Sequence, residues 1–161
     1  QVNGLASTPG LGMPMGTVKP FLDRLEKTPR SINAGAFLGQ GSVREAVVGL
    51  ANRKATPAEI ERMKQLVAQG MKDGAWGLST GLFYVPGNFT PLEEVAELEK
   101  VVAPYRGVHM SHMRDEANGV VESVKETIAI GVEAMASIAF MTRLSRTCCS
   151  CTESPRVRDG A

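Results

Sequence analysis

His112 stands in the run Ser111-His112-Met113-Arg114-Asp115-Glu116, which follows Gly107-Val108-His109-Met110. Neutral imidazole is a common zinc ligand. A strand end can hold one rigidly while a carbonyl or carboxylate fixes its second nitrogen. A lone histidine among charges also suits a solvated or structural role. His109 lies just upstream. Side chains alternate along a strand, so positions 109 and 112 face opposite ways and share no metal unless the strand ends between them. Tyr84 follows Gly81-Leu82-Phe83. A phenol there can donate a hydrogen bond to a developing oxyanion or a substrate carboxylate, or it can sit amphipathically at the core edge. The stretch Gly39-Gln40-Gly41-Ser42-Val43-Arg44 can cradle an anion at a helix start or make a plain tight turn. It lacks the Gly-Lys-Ser/Thr of a Walker loop. Cys148, Cys149 and Cys151 cluster near the C-terminus. Their spacing fits no standard zinc knuckle, which leaves reduced, incidental thiols or a metal-thiolate site.

The elements that must position these residues are readable from caps and periodicity. Residues 1–16 are rich in Gly, Pro, Ser and Thr and read as loop. Thr17 is placed to cap a helix through Lys27, with Phe21, Leu22 and Leu25 as its apolar stripe. The apolar run 32–38 predicts a buried strand ending in the loop Gly39-Gln40-Gly41, and 42–50 a helical turn or two. Thr56-Pro57-Ala58-Glu59 is a capping box with proline at the first helical position, and Ile60, Met63, Leu66 and Val67 follow at helical spacing. A helix over 57–72 is expected, ended by Gly70 or Gly74. A strand over 77–83 precedes the turn at Pro86-Gly87. Thr90-Pro91-Leu92-Glu93 repeats the capping-box logic for a helix over 91–103, with Val95, Leu98 and Val102 inward. A strand over 107–111 follows. A helix over 118–134 is expected to bury Val121, Val124 and Ile128, and 138–141 has room for one more short strand.

Alternating strands and helices predict an α/β fold with parallel strands and right-handed crossovers. Chemistry in such folds sits past the C-terminal ends of the strands. The regions 39–41, 79–84 and 111–116 all fall there, so Tyr84 and His112 are expected at one sheet edge.

The chain has 161 residues, enough for one domain, whereas a complete (β/α)₈ barrel usually needs roughly 250. Lys+Arg is 18 against Asp+Glu 17, a formal charge of +1, which excludes an electrostatic nucleic-acid binder. No apolar run reaches the roughly 20 residues of a membrane span. The chain begins Gln1-Val2-Asn3-Gly4, without Met and without signal-peptide regions. It is expected to be a cytoplasmic fragment. The low aromatic content (5%) and 17 glycines favour a turn-rich α/β chain over a β-sandwich.

The run from Gly74 to Gly87, the Ser-His-Met-Arg-Asp-Glu at 111–116 and the stretch 32–44 resemble, in order, three motifs of the N-acyl-D-amino-acid deacylases. These D-aminoacylases belong to the metal-dependent amidohydrolases. The resemblance covers about residues 17–134. It implies a partial TIM barrel, zinc as cofactor, an N-acyl-D-amino acid as small-molecule substrate, His112 as a zinc ligand and Tyr84 in the substrate pocket. Several positions depart from the family pattern. Gln40 stands where the family usually has His, and His109 where Tyr is common. No Cys, Asp or Glu occurs at the N-terminus, where a bridging metal ligand is expected, and no His follows His112, although one is expected near Thr142. The resemblance stops at Met135. Residues 135–161 hold all three Cys, four Arg and no Lys, against seven Arg and seven Lys in 1–134. That change reads as a reading-frame shift or a divergent ending. The isolated chain is therefore expected to be inactive. The alternatives are a non-catalytic α/β fragment persisting by self-association through exposed edges, and an amidohydrolase acting on a cyclic amide.

Overall fold

The computed structural model describes residues 18–29, 31–135 and 137–140. Four parallel strands form one sheet in the order β1 (Leu38–Gly39), β2 (Gly77–Gly81), β3 (Val108–His112) and β4 (Ser137–Phe140). Between them run α2 (Gln40–Val47), α3 (Pro57–Lys72), α4 (Leu92–Val102) and α5 (Val120–Ala134), with α1 (Val18–Lys27) ahead of β1. The expected α/β alternation and the parallel sheet are present. The expected cap at Thr17, the loop 1–16, the three cysteines and the tail beyond 140 lie outside the described residues.

Alternation along the strands sorts the sheet into two faces. Leu78 and Thr80 of β2, and His109 and Ser111 of β3, are buried on the side that meets the helices. Leu78 joins Val43, Met63, Val67, Met71, Ala75, Leu98 and Val102 in the main core. Leu82, Val95 and Ile130 form a smaller one. Ser79, Gly81, Met110 and His112 face the other way, where they line a cleft. β2 and β3 come so close at Gly77 that a Cβ there would sit 2.0 Å from the Val108 carbonyl oxygen. Only glycine fits that register.

α3 begins as its sequence dictates. The Thr56 side chain accepts from the Glu59 N–H at 3.3 Å, and the Glu59 carboxylate accepts from the Thr56 N–H at 2.8 Å. Its observed span matches the expected one, although Leu66 is 37% exposed and Gly70 and Met71 are buried in its place.

Four expectations are corrected. First, the strand expected over 32–38 is reduced to Leu38–Gly39. Ile32 is exposed, and past one further backbone bond, from the Trp76 N–H to the Ala36 carbonyl at 2.8 Å, the Trp76 indole lies against Gly35. Second, Gln40 and Gly41 are not loop but the first turn of α2. Third, Thr90 forms no capping box. Pro91 is the N-cap of α4, without a side-chain cap bond, and the Thr90 hydroxyl instead accepts from Gln40 Nε2 at 3.1 Å. Fourth, α5 turns another face inward. Ser123, Thr127, Ile130, Gly131 and Ala134 are buried, whereas Val121 and Ile128 are exposed. The reason is chemical. The β3 side that meets α5 is polar, so Thr127 and Ser123 face it. The Ser123 hydroxyl accepts from the Asp115 N–H at 2.9 Å, and the Thr127 hydroxyl donates to the Ser123 carbonyl at 3.0 Å.

Candidate functional site

β2 and β3 both end at the cleft. In register, Gly81 lies opposite His112, so the chain leaving β2 rises beside the imidazole. Tyr84 lies three residues past Gly81, on a loop held by the Tyr84 N–H donating to the Gly81 carbonyl at 3.0 Å. The loop folds back tightly, with a cis Val85–Pro86 peptide. A Cβ at Gly87 would meet the Gly81 carbonyl at 2.5 Å, so glycine is needed for this approach. Gly39, Gly41 and Ser42 form the facing wall of a cleft of about 420 Å³.

His112 presents a defined nitrogen to this space. Its Nδ1 lies 3.2 Å from the Met113 carbonyl, a contact that is a hydrogen bond only when Nδ1 carries the proton. Nε2 is then the acceptor in the neutral ring. It lies 3.4 Å from the Tyr84 hydroxyl, which can donate to it, and the two rings meet edge to face at 5.0 Å. Glu116 approaches Nδ1 at 3.9 Å. The structure thus brings Tyr84 and His112 together at one end of the sheet.

The same neutral tautomer suits one zinc ligand, because its lone pair faces the cleft. A catalytic zinc site normally takes roughly three protein ligands. Among the described residues no cluster of three His, Cys, Asp or Glu is placed to hold a metal ion. The residues present therefore fit one ligand position and do not by themselves build a metal centre.

His109 takes no part. It is fully buried on the helix side, its Nδ1 2.5 Å from Glu99 of α4. Burial pushes the Glu99 carboxyl above its ordinary range, and the hydrogen bond from His109 only partly opposes that. Gln40 and Arg44 also lie apart from the cleft lining. Arg44 is fully buried, paired with Glu94 of α4, and its Nη2 donates to the Arg53 carbonyl at 2.5 Å. The wall at 39–42 is thus the start of α2, and Arg44 ties that helix to α4.

Sequence reasoning singled out His112 but passed over Arg114. Its guanidinium grips the Glu126 carboxylate of α5 through Nε and Nη2, and donates to the carbonyls of Asn88 and Thr90. The signal available was a charged residue just past a strand end. Its partners lie in separate elements, with no spacing to link them.

No family model matches the chain. A D-aminoacylase of Alcaligenes xylosoxydans xylosoxydans is 38% identical over 113 residues, covering 70% of this chain and 23% of that protein. A crystal structure of D-aminoacylase, described as defining a subset of amidohydrolases, superposes with a TM-score of 0.73 at 33% identity, covering 77% of this chain and 26% of that one. An N-acyl-D-glutamate deacylase from Bordetella bronchiseptica, complexed with zinc and a phosphonate mimic of the tetrahedral intermediate, gives a TM-score of 0.71 at 33% identity, covering 76% and 26%. The chain spans about a quarter of the length of these relatives. With a parallel α/β sheet, a histidine and a tyrosine meeting at its strand ends and these likenesses in hand, the chain belongs, as a partial-length member, to the D-aminoacylase family of amidohydrolases.

Proposed function

We propose that this chain is the part of a zinc-dependent N-acyl-D-amino-acid deacylase that supplies one metal ligand, His112, and one substrate-facing phenol, Tyr84. The observation that carries the reading is their meeting, Oη to Nε2 at 3.4 Å, at the cleft-facing ends of β2 and β3. In the whole enzyme the four strands are part of a TIM barrel and the cleft face is its interior. The setting is cytoplasmic. The reaction adds water across an amide, breaks the C–N bond, and leaves a carboxylic acid and a free D-amino acid. Zinc, when bound, polarises the carbonyl and acidifies water. The residues of this chain orient the ligand nitrogen and the substrate. With its proton on Nδ1, donated to the Met113 carbonyl at 3.2 Å, His112 would offer its Nε2 lone pair to the zinc. The Tyr84 hydroxyl donates to the substrate oxygen as negative charge develops on it, or to the substrate carboxylate. Residues 135–161 are read as a tail divergent from the family, and the coding sequence in all three frames tests the frame shift.

The test has two arms. The purified chain alone should retain less than one zinc after dialysis and release no D-amino acid. Residues 32–134, exchanged for the matching span of a full-length relative, should support chelator-sensitive deacylation that His112→Ala abolishes. In that chimera Tyr84→Phe should lower kcat more than it raises KM if the phenol serves the developing oxyanion, and raise KM chiefly if it serves the substrate carboxylate. A folded, inactive chimera counts against the reading. The half-open cleft face of the sheet favours a second property, self-association of the isolated chain. Metal-free oligomers growing with concentration in sedimentation would support it.

A further inference from the structure

We propose that Arg114 is a positioning residue, which acts through Asn88 to set the place of the Tyr84 phenol beside His112. The proposal rests on the reading of Tyr84 as a substrate-facing group. Two hydrogen bonds in series connect the two residues, and a third fastens the end of the same loop. Arg114 Nη1 donates to the Asn88 carbonyl at 2.9 Å. The Asn88 N–H donates to the Tyr84 carbonyl at 2.8 Å. Arg114 Nη2 donates to the Thr90 carbonyl at 2.8 Å. The guanidinium is itself oriented from behind, because Nε and Nη2 meet both oxygens of Glu126 at 2.8 to 3.2 Å.

The phenol itself has one polar contact, to His112 Nε2 at 3.4 Å, and its backbone is tied to the Gly81 carbonyl at 3.0 Å. Tyr84 is 57% exposed, and its ring meets Phe83 at 5.2 Å and His112 at 5.0 Å. Its position therefore follows the backbone of residues 82–91. That loop is fixed at its far end on two sides. Arg114 takes the Thr90 carbonyl, and Gln40 takes the buried Thr90 hydroxyl at 3.1 Å. Arg114 leaves β3 just past His112, so one strand end carries the imidazole and also fastens the loop that brings the phenol to it. A planar fork of donors can serve a carboxylate and two carbonyls at once. A lysine ammonium has no such geometry.

The chain has two histidines, so imidazole NMR of the labelled full chain gives two sets of signals. His109, on the opposite side of the sheet, is the internal control. Tyr84→Ala defines where the His112 signals lie once the neighbouring ring is gone. Arg114→Gln should move them most of the way to those positions, with the His109 signals unchanged, and Arg114→Lys should move them less far. Wild-type His112 signals in Arg114→Gln, with only a lower unfolding midpoint, would make Arg114 merely structural and overturn the proposal. Equal movement of both histidines would overturn it too. Should Arg114→Gln fail to fold, Glu126→Gln keeps the guanidinium but loosens its anchor. A smaller shift of His112 in the same direction supports the proposal, and no shift overturns it. Zinc does not enter this readout, so failure of the metal reading leaves the geometric result intact.

Discussion

At the residue scale, chemically identical groups have opposite fates according to the face they occupy. His112 opens onto the cleft, while His109 is sealed against Glu99. Buried charge is most consequential at Arg44. Its side chain and that of Glu94 are almost wholly removed from water, and Glu94 also accepts from the Ala55 N–H at 3.1 Å. Removing one partner strands the other charge in the interior, at a cost of about 3–5 kcal/mol. Glu94→Gln should therefore lower the urea midpoint far more than Lys125→Gln, whose pair with Glu122 is exposed. Equal losses would show that the buried pair is not an anchor of α2 on α4.

At the element scale, two Thr-Pro sequences behave differently. Thr56 caps α3, and Thr90 is a buried hydrogen-bond acceptor for Gln40. Thr56→Ala should cost about 1 kcal/mol, the usual value of an N-cap. Thr90→Val keeps the shape but leaves the Gln40 amide unsatisfied, a loss of about 1–3 kcal/mol. Chemical denaturation of both variants checks the order. A Thr56→Ala loss exceeding that of Thr90→Val would mean that Thr90 matters less to the loop than its burial implies. Across the helix layer, Lys64 of α3, Glu97 and Lys100 of α4, and Glu133 of α5 alternate in sign, with successive contacts of 2.5, 2.7 and 3.2 Å.

At the scale of the whole molecule these charges shape stability against pH. Lys100 first, then Lys64, push the Glu97 carboxyl down to about 2, and Arg53 with the Thr56 N–H does the same to Glu59. The ordinary value is 4.5, so their contribution is complete above that pH and is lost as pH falls toward about 2. Glu99 has the opposite sign. Its raised carboxyl binds a proton more readily in the folded state, so stability grows as pH falls through the window above 4.5. Unfolding midpoints should peak in mildly acidic solution. Glu97→Gln should flatten the acid limb, and Glu99→Gln the limb above the peak. Salt should weaken the first effect more, because Glu97 and Lys100 are partly exposed. An unchanged acid limb in Glu97→Gln would show that the Lys64–Glu97–Lys100 contacts do not set the acid stability.

The sequence by itself determined the alternating fold, the span of α3 with its capping box, and the candidates His112 and Tyr84. Each of these rests on local chemistry: side-chain period, cap geometry, or a motif at a strand end. The inward face of α5, the shortness of β1 and the task of Thr90 depended on partners distant in the chain. Val121 and Ile128 mark an apolar stripe in sequence, yet Ser123 and Thr127 turn inward because the facing side of β3 is polar. Thr90 reads as a cap, yet it bonds Gln40, which lies fifty positions away. Arg114 shows the limit most clearly. Its charge and place were visible, but Glu126, Asn88 and Thr90 converge on it only when β3, α5 and the loop after β2 meet in space. A hydrogen-bonding group's partner is set by three-dimensional proximity, which no sequence period encodes.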